Sequence, residues 1–193
     1  GKLVSYGSAN ASRRPPTNVT DAAAIAAYWG HGVALRSNGT LVAWGEYTDT
    51  FLAPPPGLTG VVAIATGIWH GVAAKADGTV VAAGNNDYQE LDVGDWTNII
   101  QVAAGPYHTL GLTSEGKVMV TGNKNYIFIP FIPIDQWGDP IIPPPNGIEL
   151  PFGYHLSNPG AVLRWKNIAQ VAGGEYCTLG LKTDGTVVTA GRD

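Results

Sequence analysis

The sequence predicts an all-β fold, a β-propeller built from repeats of about 38 residues, and three observations lead there. One phrase, clearest over Val61 to Gly84, recurs along the chain: the glycines Gly39, Gly78 and Gly116 stand 39 and then 38 residues apart, which marks a repeat architecture. Each copy consists of short apolar runs rich in Val, Ile, Ala and Leu, broken by Gly-containing turns. With 26 glycines, 14 prolines and only 13% charged residues, the composition favours many short buried strands over helices.

The chain opens in mid-repeat, because Gly1 to Tyr6 followed by Gly7 matches Gly39 to Gly45 position for position. Residues 8–21, with Pro15 and Pro16, read as a connection. The first full copy runs from Ala22 past His31 to Gly45, and its Asn38-Gly39 pair predicts a type I′ hairpin, which needs two residues that tolerate positive φ. After the proline-rich 46–60 linker, the second copy holds His70, the Asp77-Gly78 turn and Gly84. The third runs from Ile99 through His108 and Glu115-Gly116 to Gly122, and the fourth from Ile168 through Cys177 and Asp184-Gly185 to Gly191.

Each copy supplies three strands. An extended piece in the connection, around Glu90 to Val93, gives about four per blade. Apolar or small residues on both strand faces predict sheets buried on both sides, with Trp44 and Tyr6 in the core between blades. A linear solenoid fits less well, since its coils usually repeat at shorter periods.

From Gly116 to Gly185 the interval is 69 residues, about 31 more than one period, so residues 123–166 form a proline-rich insertion within a single 1–193 domain. Ile127, Phe128, Ile129, Phe131 and Ile132 are too apolar to face water alone, and Pro130 and Pro133 prevent a regular central strand. The insertion is therefore expected to be buried against a blade or a partner. Tyr126, Phe128, Phe131, Trp137, Phe152 and Tyr154 are its candidate partner-binding residues.

The segments Gly105 to Leu112 (Gly-Pro-Tyr-His-Thr-Leu-Gly-Leu) and Asp77 to Gly84 (Asp-Gly-Thr-Val-Val-Ala-Ala-Gly) resemble the bacterial form of the regulator-of-chromosome-condensation repeat. Asp95 to Gly105 and Pro56 to Ala65 strengthen the likeness, which leaves out the insertion and the first linker. The resemblance implies a propeller of typically seven blades, which would need well over 250 residues at this period. Four copies and one orphan strand then imply a fragment of a longer chain, the reading favoured here, or a ring shared between chains, or an unusually small ring. The first residue, Gly rather than Met, fits a processed or partial product. The family's nucleotide-exchange activity does not carry over, since no motif for it is found.

His31, His70 and His108 share one slot, taken by Cys177 in the fourth copy. The resemblance marks this as a structural position where an imidazole ties strands together, and a metal or catalytic role is the weaker reading. Trp69, Tyr107 and Tyr176 stand just before the slot, with Trp29 nearby. They either cover blade ends or form possible stacking sites for a ligand such as a sugar. Asp77, Glu115 and Asp184 are explained by turn chemistry. The sequons at Asn18 and Asn38 carry little weight.

A net charge of -4 with scattered Lys and Arg argues against nucleic acid. No apolar run is long enough to span a membrane, and the lone Cys177 cannot form an internal disulfide. No hydrolase elbow, zincin, phosphate-loop or Cys-x-x-Cys pattern is present, so neither a catalytic residue, a metal nor a cofactor is expected. The expected function is a non-enzymatic protein-binding or assembly module of a bacterial surface or secreted protein or a phage particle. The alternatives are a carbohydrate-binding propeller and a fragment of an enzyme whose catalytic residues lie elsewhere.

Overall fold

A computed structural model describes residues 1–3, 14–45, 53–122, 159–174 and 177–191. Among them, four antiparallel three-stranded sheets follow one another as blades. Blade 1 is β1 (Ala22–Tyr28), β2 (His31–Arg36) and β3 (Leu41–Gly45). Blade 2 is β4 (Val61–Thr66), β5 (His70–Lys75) and β6 (Val80–Gly84). Blade 3 is β7 (Ile99–Ala104), β8 (His108–Thr113) and β9 (Val118–Gly122), and blade 4 is β10 (Ile168–Gly173), β11 (Cys177–Lys182) and β12 (Val187–Gly191). The predicted fourth strand is not formed at Glu90 to Val93. Gln89 donates to the Asn86 carbonyl at 3.1 Å and Trp96 to that of Val93 at 3.0 Å, so the connection is a run of turns.

The hairpins are tight, but not of the predicted type. Gly39 has φ 79° while Asn38 does not enter the positive region. Gly39 N–H donates to the Arg36 carbonyl and Arg36 N–H to that of Thr40, both at 2.9 Å, which makes a three-residue loop with one left-handed glycine. The Asn38 side chain takes over the second half of the work, its Oδ1 accepting from Thr40 N–H at 3.1 Å and Thr40 Oγ1 at 2.7 Å. Asp77 with Thr79 and Asp184 with Thr186 do the same, so the acidic turn residues are structural, as their turn chemistry suggests. Lys75 and Thr79 hold the Asp77 carboxyl well below its ordinary pKa.

Every blade begins with the same irregularity, a register shift after the first residue of β1, β4, β7 and β10. It turns Val62 and Ile100 outward, which accounts for two exposed aliphatic side chains.

Successive first strands lie side by side, β1 against β4, β4 against β7 and β7 against β10. The cores sit between consecutive sheets. Leu110, Leu112 and Val118 of blade 3 pack with Ile168 and Val171 of blade 4. Val72, Ala74 and Val80 of blade 2 pack with Ile99 and Val102, and Leu35 of blade 1 packs with Val61 and Ala73. Before each of the last two blades a tryptophan lies over a glycine: a Cβ on Gly111 would meet the Trp96 ring at 2.7 Å, and one on Gly180 the Trp165 ring at 2.7 Å. Blade 2 has Leu58 and Ala73 in these slots, so a smaller cover meets a larger floor.

Trp165 follows a 3-10 helix (Pro159–Arg164) whose Val162 is fully buried in the blade 3–blade 4 core. The end of the predicted insertion therefore belongs to blade 4. Trp44, expected between blades, is half-buried over Gly32 of its own sheet, and Tyr6 lies outside the described residues.

Each hairpin is stitched to the next blade through its turn glycine. The Gly39 carbonyl accepts from Val61 N–H at 3.3 Å, that of Gly78 from Ile99 at 3.0 Å and that of Gly116 from Ile168 at 3.2 Å. Gly1 offers the same carbonyl to Ala22 at 2.9 Å, so the opening residues hold the register that the repeat assigned to them.

Candidate interaction surface

Two of the three recurring histidines, His70 and His108, join one blade to the next. His70 Nε2 lies 3.0 Å from Thr109 Oγ1 of blade 3, and His108 Nε2 lies 3.3 Å from Thr178 Oγ1 of blade 4. Thr109 gives its single hydroxyl proton to the Glu90 carbonyl at 2.8 Å, so His70 Nε2 is the donor in the pair and Nδ1 carries the lone pair. Burial, with repulsion from nearby His108, lowers the His70 pKa to about 4, and burial lowers that of His108 to about 4. His31 is lowered by burial too. Neutral, enclosed imidazoles suit a structural tie between blades. Among the described residues, no group of three or more His, Cys, Asp or Glu could hold a metal.

The aromatic candidates gather at the end of the sheets where each first strand turns into the second. Among the described residues two edge-to-face pairs form there. Trp29 and Trp69 meet edge to face at 5.8 Å between centroids, and Tyr107 meets Tyr88, which the sequence reading missed, at 5.2 Å. Trp29 is 76% exposed and has φ 44°, a conformation that costs a bulky residue about 1–2 kcal/mol. Tyr126, Phe128, Phe131, Trp137, Phe152, Tyr154 and Tyr176 lie outside the described residues.

A third surface was not read from the sequence. Leu110 and Leu179 occupy the same slot of blades 3 and 4, yet the first is 0% exposed and the second 40%. Val118 and Val187 form a second such pair, at 0% and 60%. Gln101 reaches from blade 3 to β10, its Nε2 donating to the Val171 carbonyl at 3.0 Å and its Oε1 accepting from Val171 N–H at 3.1 Å. The corresponding Gln170 is exposed. A Cβ on Gly116 would meet Ile168 N at 3.1 Å, whereas Gly185 has nothing within 4 Å. Among the described residues, the outgoing face of blade 4 thus carries the residues of a blade junction with no blade upon it. Ile25 on blade 1, in the slot of the buried Val102 and Val171, is similarly bare at 67% exposed. This corrects the expectation of burial on both sides for the two end blades.

A family model described as the regulator of chromosome condensation (RCC1) repeat matches residues 22–46, 61–90 and 99–126. Three stretches of the chain are thus RCC1-type repeats. The matched stretches begin at the first strands of blades 1, 2 and 3, and blade 4 has the same strand order and bulge. Among solved structures, the yeast RCC1 (Prp20) bound to Kap60 is similar with TM-score 0.60 and 21% identity, over 92% of this chain and 45% of that one. The CRINKLY WD40 ectodomain of the Arabidopsis thaliana receptor kinase ACR4 gives 0.58 and 17%, over 91% and 55%. Human WBSCR16 gives 0.53 and 16%, over 86% and 46%. At these identities the likeness is one of fold, and the chain spans about half the length of the solved chains it matches. A search of curated proteins found no match.

Proposed function

We propose that this RCC1-repeat chain is a non-enzymatic module for protein binding and assembly, in which the outgoing face of blade 4 receives a further blade or protein partner. The observation that carries this reading is the contrast between buried Leu110 and Val118 and their bare counterparts Leu179 and Val187. Exposed apolar residues flanked by an exposed carboxamide, Gln170, suit a docking surface. The 123–158 part of the insertion, rich in Phe and Ile, enters the chain directly before this blade and supplies the remaining anchors. The similar yeast protein is described bound to Kap60, a precedent for protein partners on this fold. The low charge and bacterial-style repeats favour a surface or secreted protein, or a phage particle, as the setting.

Photo-cross-linkers at positions 128 and 179 test the reading in the source assembly. Cross-links to another polypeptide, or to blades beyond this chain, are expected at both; adducts confined to residues 1–193 would contradict it. Replacing 123–158 with a short linker, while keeping Val162 and Trp165, should abolish partner binding and leave the blades folded.

A second reading, glycan binding, is favoured by the exposure of Trp29 beside Trp69. It predicts glycan binding that weakens in Trp69→Ala and Tyr107→Ala, and no binding on a glycan array would remove it.

A further inference from the structure

The histidine ties are direct at the junctions of blades 2 with 3 and 3 with 4, but the first junction is built differently. The slot that carries Thr109 in blade 3 and Thr178 in blade 4 carries Gly71 in blade 2, so His31 meets no hydroxyl there. Opposite Thr109 and Thr178 stand Ala104 and Gly173; opposite Gly71 stands Thr66. Directly opposed residues of an antiparallel pair share a face. Blade 2 therefore keeps a hydroxyl on the same face as the other blades but has moved it one strand inward, away from the previous blade's imidazole.

The consequence is visible atom by atom. His31 Nε2, Thr66 Oγ1 and His70 Nδ1 are all buried without a hydrogen-bond partner. All three surround Gly67. Thr66 precedes it in the chain, its carbonyl faces the His31 ring, and a Cβ on it would lie 2.6 Å from His70 Nδ1. Leaving such groups unpaired in the interior is costly, and a native fold rarely tolerates it.

We propose that the first junction binds one structural water, which bridges His31 Nε2 to Thr66 Oγ1 and has His70 Nδ1 as its third polar neighbour. The chemistry fits, because a water accepts from one group and donates to two. By analogy with His70, the His31 Nε2–H donates to the water, whose two protons go to Thr66 Oγ1 and to the lone pair on His70 Nδ1. A larger or apolar ligand would leave these atoms unsatisfied. The junction is thus a hydrated version of the two that follow, with water in the role of the threonine hydroxyl.

The test combines a crystal structure at better than about 1.5 Å with swap variants. The expected result is one ordered water within about 3.2 Å of both His31 Nε2 and Thr66 Oγ1. Thr66→Val should lower the melting midpoint by several degrees. Gly71→Thr, whose φ is not in the positive region and whose cross-strand partner Ala83 matches Ala190 opposite Thr178, should displace the water and restore the midpoint in the Thr66→Val background. Gly71→Val, of the same shape without the hydroxyl, should instead lower it. An empty site, a protein group on His31 Nε2, or equal midpoints for Gly71→Thr and Gly71→Val would overturn the proposal. The two Gly71 variants keep the test decisive where Thr66→Val fails to fold.

Discussion

Blade 3's outward face and blade 4's outward face are nearly the same surface chemically, with Leu110 and Leu179, Val118 and Val187, Gln101 and Gln170, and Gly116 and Gly185 in matching slots. Among the described residues only the first is covered. The difference teaches that each sheet is one half of an interface, since it buries its apolar side chains against the next blade and not within itself. A three-stranded sheet of five- and six-residue strands cannot stand alone, and stacking is what stabilises it. The exposed end is then the place where the fold and its function meet.

The sharpest way to break this comparison is to truncate the two leucines in the isolated chain. Leu110→Ala should cost about 3 kcal/mol by denaturant unfolding, because it opens a cavity in a fully buried core. Leu179→Ala should cost under about 1 kcal/mol there, yet weaken assembly strongly. Equal costs would mean that the two faces are not equivalent.

Acid should attack the closed junctions. His70 and His108 are held near pKa 4, below their unfolded value, so the unfolded chain binds protons first as pH falls. Their stabilising contribution is complete above about pH 6.5 and is lost as pH drops towards 4, at up to about 1.4 kcal/mol per histidine per pH unit. Denaturant midpoints at pH 7, 5.5 and 4 should decline accordingly. A flat profile would show that the imidazoles are solvated.

A smaller contrast lies in the carboxamides. Gln101→Ala removes two bonds to the Val171 backbone and should cost about 1–2 kcal/mol, whereas Gln170→Ala in the isolated chain should stay within about 0.5 kcal/mol. Calorimetry on the pair would expose any hidden partner of Gln170.

Much of the fold could be read from the sequence, because its signals are local. A turn glycine is demanded by its own backbone, and Gly39, Gly78, Gly116 and Gly185 all have positive φ. The error at Asn38 is local as well: its side chain caps Thr40 instead of its backbone entering the left-handed region. The supposed fourth strand failed because Asn85 and Asn86 bond to the chain ahead, turning it through Asp87 and Leu91. The interaction surface was harder to see. Thr109 and Thr178 stand beside the histidine slot in sequence, but the imidazole each one meets belongs to the preceding blade. Whether Leu179 is core or surface depends on what stacks upon it, and its immediate neighbours along the chain, Thr178 and Gly180, are the same residue types as Thr109 and Gly111 beside Leu110. A slot-by-slot comparison of blades supplies that signal, once the strands are placed.

The central claim is that blade 4's outward face is an interface in the assembled protein, and hydroxyl-radical footprinting tests it most directly. In the source assembly, Leu179 and Val187 should be protected to the level of Leu110 and Val118, and in the isolated chain they should be modified readily. Equal modification of Leu179 and Val187 in both states would contradict the account.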